Sequence, residues 1–284
     1  MAGNIGINKL LNRAFFIFLL VVIFLYTVLP FYWAFASSLK TEAELISTPA
    51  SFFPRQITFQ NFEAVLRNEK FLRGLLNSAV VSVTVVLFSL VIGAFAAYAL
   101  GRLKFRGRRF TLYVVLSMTL FPQISILPGL FSLVREFGMF GSIVSLMVTY
   151  LIFTLPFTVW VLTSFFRALP AELEQAALVD GCTPFQTFYK ILLPLTAPAL
   201  VTTGLLAFIA AWNEYLFALT FTLTQPAAQT VTVAIANFTG EVARNEPFGE
   251  RMAAAVIVTI PLIILVLIFQ RRIVQGLTAG AVKG

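Results

Sequence analysis

The chain has 284 residues, of which 59% are hydrophobic and 11% charged, and it contains 31 phenylalanines. Soluble domains carry about a quarter charged residues, so this composition defines an all-α, polytopic membrane protein. With no histidine and one cysteine, Cys182, the chain excludes Ser-His-Asp and Cys-His catalysis, HExxH metal sites and any intrachain disulfide. The net charge of +8 comes from Lys and Arg at helix ends, where membrane topology places them, and no nucleic-acid partner is expected.

Spanning about 30 Å of hydrocarbon takes about 20 apolar residues. The first such segment, Ala14–Ala36, follows Lys9 and Arg13. Its end, Ala34-Phe35-Ala36, resembles a signal-peptidase site. Signal h-regions run about 7–15 residues, however, and this longer run reads as a retained span. Ser37–Arg73 is a polar loop in which basic residues mix with Glu42, Glu44, Glu63 and Glu69. The second span, Leu75–Leu100, contains Gly93 and Ala97, a small-xxx-small pair that lets another helix approach closely.

Arg102, Lys104, Arg106, Arg108 and Arg109 follow with no acid among them. This loop is a topology determinant and should face the cytoplasm. The third span, Phe110–Val134, carries Pro122, Pro128 and Gly129, and the fourth, Ser142–Phe166, carries Pro156. Proline removes a backbone donor and is expected to kink such a helix. The fifth and sixth spans are Ala199–Leu223 and Met252–Phe269. Six spans put both termini in the cytoplasm, in agreement with Lys9, Arg13, Arg271, Arg272 and Lys283. The chain thus divides into an N-terminal segment with the first span and external loop (1–73), a five-helix transmembrane domain (74–270) and a cytoplasmic tail (271–284).

Between the fourth and fifth spans lies a polar-studded cytoplasmic loop, residues 167–197. Pro170 fits a first helical position, with Glu172 and Glu174 at the positive end of the helix dipole. Gly181 suits the left-handed residue that ends a helix. Thr183 then reads as an N-cap, Pro184 as the next first position and Gln186 as the partner that completes a capping box. Phe185, Phe188, Tyr189 and Leu192 recur at i, i+3, i+4 and i+7, an apolar helical face. The result is a helix–glycine–helix hairpin, with small residues Ala176 and Ala177 where a cytosolic protein could dock.

The pattern Gln175-Ala176-Ala177, Gly181, Ile191-Leu192-Leu193-Pro194 resembles the EAA loop of binding-protein-dependent ABC importer permeases, the type I permease fold. Ala96-Ala97-Tyr98-Ala99-Leu100-Gly101-Arg102 with Phe105-Arg106-Gly107, and Trp212-Asn213-Glu214-Tyr215, are similar to motifs of the carbohydrate-uptake permeases. Ile235-Ala236-Asn237-Phe238-Thr239-Gly240 and the tail Gly276–Gly284 resemble the second permease of maltose- and trehalose-type systems. The resemblance covers nearly the whole chain.

It implies a non-catalytic permease subunit of the bacterial cytoplasmic membrane that forms half of an import pathway for α-glucosides such as maltose, trehalose or maltodextrins. Implied partners are a second, homologous permease, a dimer of cytosolic ATPases that use ATP and Mg, an extracytoplasmic sugar-binding protein and membrane lipid. The chain has no Gly-Lys dipeptide and so no Walker A loop; it should bind no cofactor or metal itself. Glu174, Gln175, Ala176, Ala177, Asp180 and Gly181 would couple it to the ATPase. The family usually has glutamate where this chain has Gln175, and Glu174 is rotated from it by about 100° around a helix; a neutral hydrogen bond from Gln175 is the expected substitute. A valine at Gly181 should leave the protein in the membrane but abolish ATP-driven uptake.

Glu214 is the one acid inside a predicted span, and intramembrane acids are functional hypotheses by default. It either hydrogen-bonds a neighbouring helix together with Asn213, or contacts sugar in a pathway lined by Trp212 and Tyr215. A rival reading makes it the proton carrier of a secondary transporter, although no inverted repeat of the usual kind is evident.

Overall fold

The computed structural model describes residues 3–238 and 247–281. Thr239 and Gly240 of the motif above, and Val282–Gly284 of the tail, lie outside the described residues. In chain order the helices are α1 (Gly3–Ser38), α2 (Glu42–Leu45), α3 (Gln60–Arg67), α4 (Glu69–Arg102), α5 (Arg108–Met118), α6 (Gln123–Glu136) and α7 (Ile143–Ala168). They continue as α8 (Glu172–Val179), α9 (Pro184–Thr187), a π turn (Phe188–Leu192), α10 (Leu193–Leu195), α11 (Ala197–Trp212), α12 (Leu216–Thr222), α13 (Val231–Ala236) and α14 (Phe248–Ala281).

Among the described residues, four helices are long and apolar enough to cross a membrane: Leu11–Ser38 of α1, α4, α7 and Phe248–Arg271 of α14. The number is six if each of two bent pairs counts as one span, α5 with α6 at 95° and Pro184–Leu195 with α11 at 73°. The third predicted span is therefore not one kinked helix. Pro122 is the N-cap of α6 and has no N–H with which to continue α5. The hydroxyls of Ser117 and Thr119 donate to the carbonyls of Val114 and Leu116, both at 2.7 Å, and close the end of α5. Pro128 and Pro156, by contrast, sit inside α6 and α7 without interrupting them. The fifth predicted span is also divided, because α11 stops at Trp212 and α12 starts at Leu216.

The chain forms two compact units. In the first, residues 1–68 and 238–259, the amide of Asn61 on α3 donates to the carbonyls of Ser38 and Lys40, each at 2.9 Å. Lys40 is buried, donates to the Ser51 carbonyl and lies 4.7 Å from the centre of the Trp33 ring. The polar loop after α1 is thereby folded back on itself.

In the second unit, residues 69–237 and 260–284, α4 lies against α7 along a ladder of small residues. A Cβ at Gly93 would come within 2.6 Å of Thr158 Cγ2, and one at Gly101 within 3.0 Å of Phe166 Cβ. Ala97, between them, is fully buried. Lipid is as apolar as leucine, so contact of this kind, rather than water exclusion, holds membrane helices together. Ser89 and Thr154 add a hydrogen bond across the seam at 2.6 Å. One cluster of buried side chains centres on Tyr150, Phe217 and Phe221. A second, built on Ala97, Leu162, Phe166, Phe188 and Leu192, seats the hairpin that follows α7.

Candidate functional site

Each end of the hairpin is fixed by local chemistry. Helix α8 closes in a Schellman motif, in which the Cys182 amide donates to the Ala177 carbonyl at 2.9 Å and the Gly181 amide to the Leu178 carbonyl at 3.1 Å. The motif needs a left-handed residue at Gly181, whose φ is +80°. Thr183 then caps α9 with both arms of the predicted capping box: Thr183 Oγ1 accepts from the Gln186 amide at 3.2 Å, and Gln186 Oε1 from the Thr183 amide at 2.8 Å.

Beyond α9 the backbone widens. Pro194 cannot donate to the carbonyl four residues back, and the Leu193 amide donates to the Phe188 carbonyl, five residues back. This π turn corrects the single apolar face expected of Phe185, Phe188, Tyr189 and Leu192. Phe188 and Leu192 are buried, whereas Phe185 is 61% and Tyr189 42% exposed. Phe188 acts as a wedge, its ring 4.9 Å from Tyr98, 5.1 Å from Phe95 and 6.1 Å from Phe166. Aromatic pairs of this kind contribute about 0.5–1.5 kcal/mol each beyond area burial.

Arg102, at the end of α4, binds the hairpin to the bundle. Its Nε donates to Glu174 Oε1 at 2.9 Å, and Nη1 donates to the Leu169 carbonyl at 2.8 Å. Its side chain is only 10% exposed and that of Glu174 29%. Sequence reasoning placed Arg102 among the topology charges and at the end of the second-span motif, and gave it no contact with the hairpin. The available signal was an arginine at a helix C-terminus, where side-chain donors satisfy terminal carbonyls.

The candidate coupling residues therefore sort onto two faces. Glu174 and Ala177 turn inward, the first onto Arg102 and the second fully buried. Gln175, Ala176, Asp180 and Gly181 are exposed. Beside them stand Leu178, 58% exposed, and Val179, 87% exposed, two residues the motif reading did not select. Leu178 and Val179 make an apolar tip on a hairpin that Arg102 and Phe188 tie to the ends of α4 and α7.

The Trp212–Tyr215 group occupies the break between α11 and α12. Glu214 Oε1 accepts from the Phe217 amide at 2.9 Å, and Oε2 accepts from the Ala218 amide at 3.0 Å and from Tyr150 Oη at 2.6 Å. The carboxylate thus satisfies the first free amides of α12, which is why the chain can interrupt the predicted span there. Trp212 is buried with its ring 5.3 Å from Phe208, while Asn213 and Tyr215 are exposed. Asn213 bonds the Ile209 carbonyl of its own helix at 2.9 Å.

Residues 89–279 match the family described as binding-protein-dependent transport system inner membrane component, and the chain belongs to that family. It is an inner-membrane component of a transporter, built as an ABC importer permease. It is 45% identical over 259 residues to the trehalose transport system permease protein SugB of Mycobacterium tuberculosis, covering 91% of this chain and 93% of that one. It is 40% identical to the trehalose/maltose transport system permease protein MalG of Thermococcus litoralis, covering 98% and 99% of the two chains. The fold matches a chain from the crystal structure of a bacterial ABC transporter involved in alginate import, with a TM-score of 0.79 at 23% identity over 94% of this chain and 96% of that one. The rival reading, a proton-coupled secondary transporter, finds no support in these relationships. The carboxylate it relied on is occupied as a helix cap.

Proposed function

We propose that the chain is one of two unlike permeases in an ATP-driven importer of α-glucosides such as trehalose, maltose or maltodextrins. The names of its relatives support the substrate class. The observation that carries the coupling role is the exposed tip Leu178–Val179, held rigidly between the Gly181 stop and the Arg102 brace. An apolar tip this exposed fits a cleft in another protein better than it fits water.

Two cytosolic ATPases close on ATP, draw the two permeases' hairpins together and turn the pathway outward. An extracytoplasmic binding protein then delivers sugar from the other side. ATP acts only through the different affinity of the closed ATPase dimer for the two permease conformations. Both termini and the hairpin face the cytoplasm in this arrangement, and Trp212 and Tyr215 border the pathway.

The test is affinity purification from the native membrane in mild detergent, with partners identified by mass spectrometry. The expected result is a second six-span permease and a Walker A ATPase. Reproducible recovery of the chain alone would overturn the proposal.

A further inference from the structure

Lys104, Arg108, Arg109 and Arg167 line one cavity of about 610 Å³, together with Phe105, Gly107 and Phe110. No carboxylate stands in its wall, and the sequence from Lys70 to Arg135 contains no Asp or Glu. Two of the four cations are committed to helix ends. Arg108 donates to the Gly101 carbonyl at 2.8 Å, and Arg167 to the Leu100 carbonyl at 3.2 Å. Lys104 and Arg109 hydrogen-bond no protein acceptor among the described residues.

Helix α5 starts in this cavity. Its N-cap, Gly107, offers no side-chain acceptor, and its first turn holds no acid. The opening turn of a helix leaves free amides and a partial positive charge, which anions stabilise and cations oppose. Here Arg108 and Arg109 occupy that turn, and Arg167 adds a third guanidinium. The protein supplies donors and positive charge from three directions and no compensating anion.

We propose that this cavity binds a phosphate group, and that the phosphate is the headgroup of an anionic phospholipid. The chemistry would also accept a free phosphate ion. The surroundings favour lipid: the cavity lies at the ends of the spanning helices α4 and α7, and Phe110 is 73% and Tyr113 67% exposed beside it. Those rings offer acyl chains an apolar contact that a free ion would not use. Basic pockets at the membrane surface recognise anionic headgroups in this way.

Native mass spectrometry of the full-length chain, offered equal amounts of dioleoyl phosphatidylglycerol and dioleoyl phosphatidylcholine, tests the site. Wild type should retain phosphatidylglycerol preferentially. Lys104→Gln with Arg109→Gln should lower that preference by about tenfold or more. Neither side chain braces a helix end, so both substitutions leave the fold's hydrogen bonds in place. Arg106→Gln, in the same loop but outside the cavity, should leave the preference intact. An unchanged preference in the double variant overturns the proposal, as does an equal loss in Arg106→Gln, which would reveal only diffuse surface charge. Displacement of phosphatidylglycerol by excess inorganic phosphate would assign the site to the free ion and overturn the lipid assignment.

Discussion

Gly181 carries the geometry of the α8–α9 hairpin on a single torsion. A Cβ there would meet nothing within 4 Å, yet φ is +80°, so the constraint is backbone conformation and not space. A branched residue in the left-handed region costs about 1–3 kcal/mol, whereas asparagine visits it readily. Gly181→Val should therefore reach the membrane in normal amounts and lose sugar uptake, while Gly181→Asn retains most of it. Equal loss in both variants would mean that any side chain at this surface blocks the partner, and the turn would not be the cause.

Glu44 is the corresponding residue of the polar loop after α1. Its carboxylate accepts from Ser51 Oγ at 2.5 Å and from the Arg55 amide at 2.9 Å. The Ser51 hydrogen bond, above all, holds its pKa below the ordinary 4.5. A pKa lowered by folding stabilises the loop above the ordinary carboxylate value, and that contribution is lost as pH falls through the lower, folded value. The hydrogen-exchange protection factor of the Arg55 amide should therefore drop below about pH 4.5. Glu44→Gln should be less protected at neutral pH and nearly indifferent to acid. An acid response that persists in Glu44→Gln would place its origin elsewhere.

Among the elements, the α4–α7 seam is the tightest contact described. Because the added Cβ at Gly93 would strike Thr158 Cγ2 rather than backbone, the neighbour is a side chain that can itself be removed. Thr158 Oγ1 is buried with no hydrogen-bond partner among the described residues, so Thr158→Ala gives up little. Gly93→Ala should lower the detergent-solubilised melting temperature, at a cost of about 1–3 kcal/mol for overpacking. Adding Thr158→Ala should restore most of it, with a coupling above about 0.5 kcal/mol. Simple additivity of the two changes would show that the helices do not meet at this point.

That seam was readable from Gly93 and Ala97, as were the glycine stop and the capping box. Each depends on residues a few places apart whose chemistry admits one local solution. The features that escaped depend either on distant partners or on short local breaks that a hydropathy average does not resolve. A bond from Glu214 to a neighbouring helix is among the sequence expectations and is met by Tyr150 on α7; its capping of α12 through the Phe217 and Ala218 amides is not, because the break in that span is not. The break before Pro122 required the run to end at Met118, which hydropathy, averaging over Thr119–Phe121, passes over. The π turn follows from Pro194, but which aromatic rings it buries is decided by the space between Tyr98, Phe95 and Phe166.

At the scale of the whole molecule, the question is where the energy for transport enters. Glu214 stands in the break between α11 and α12, inside the fifth predicted span, and its oxygens already receive three donors. A proton carrier must be free to change partners as the protein turns over, and here both carboxylate oxygens are engaged in starting α12 and in holding Tyr150. The hairpin, in contrast, presents an apolar tip and is braced to α4 and α7. Uptake by cells carrying the assembled transporter should therefore cease when ATP is depleted and continue when the proton gradient alone is collapsed. Glu214→Gln sharpens the distinction. It weakens the α12 cap by about 1–3 kcal/mol and should lower the melting temperature, while the surviving protein keeps ATP-driven uptake with an unaltered pH profile. If Glu214→Gln instead abolished a proton-dependent component while leaving stability untouched, the carboxylate would be a carrier and the hairpin would need another purpose.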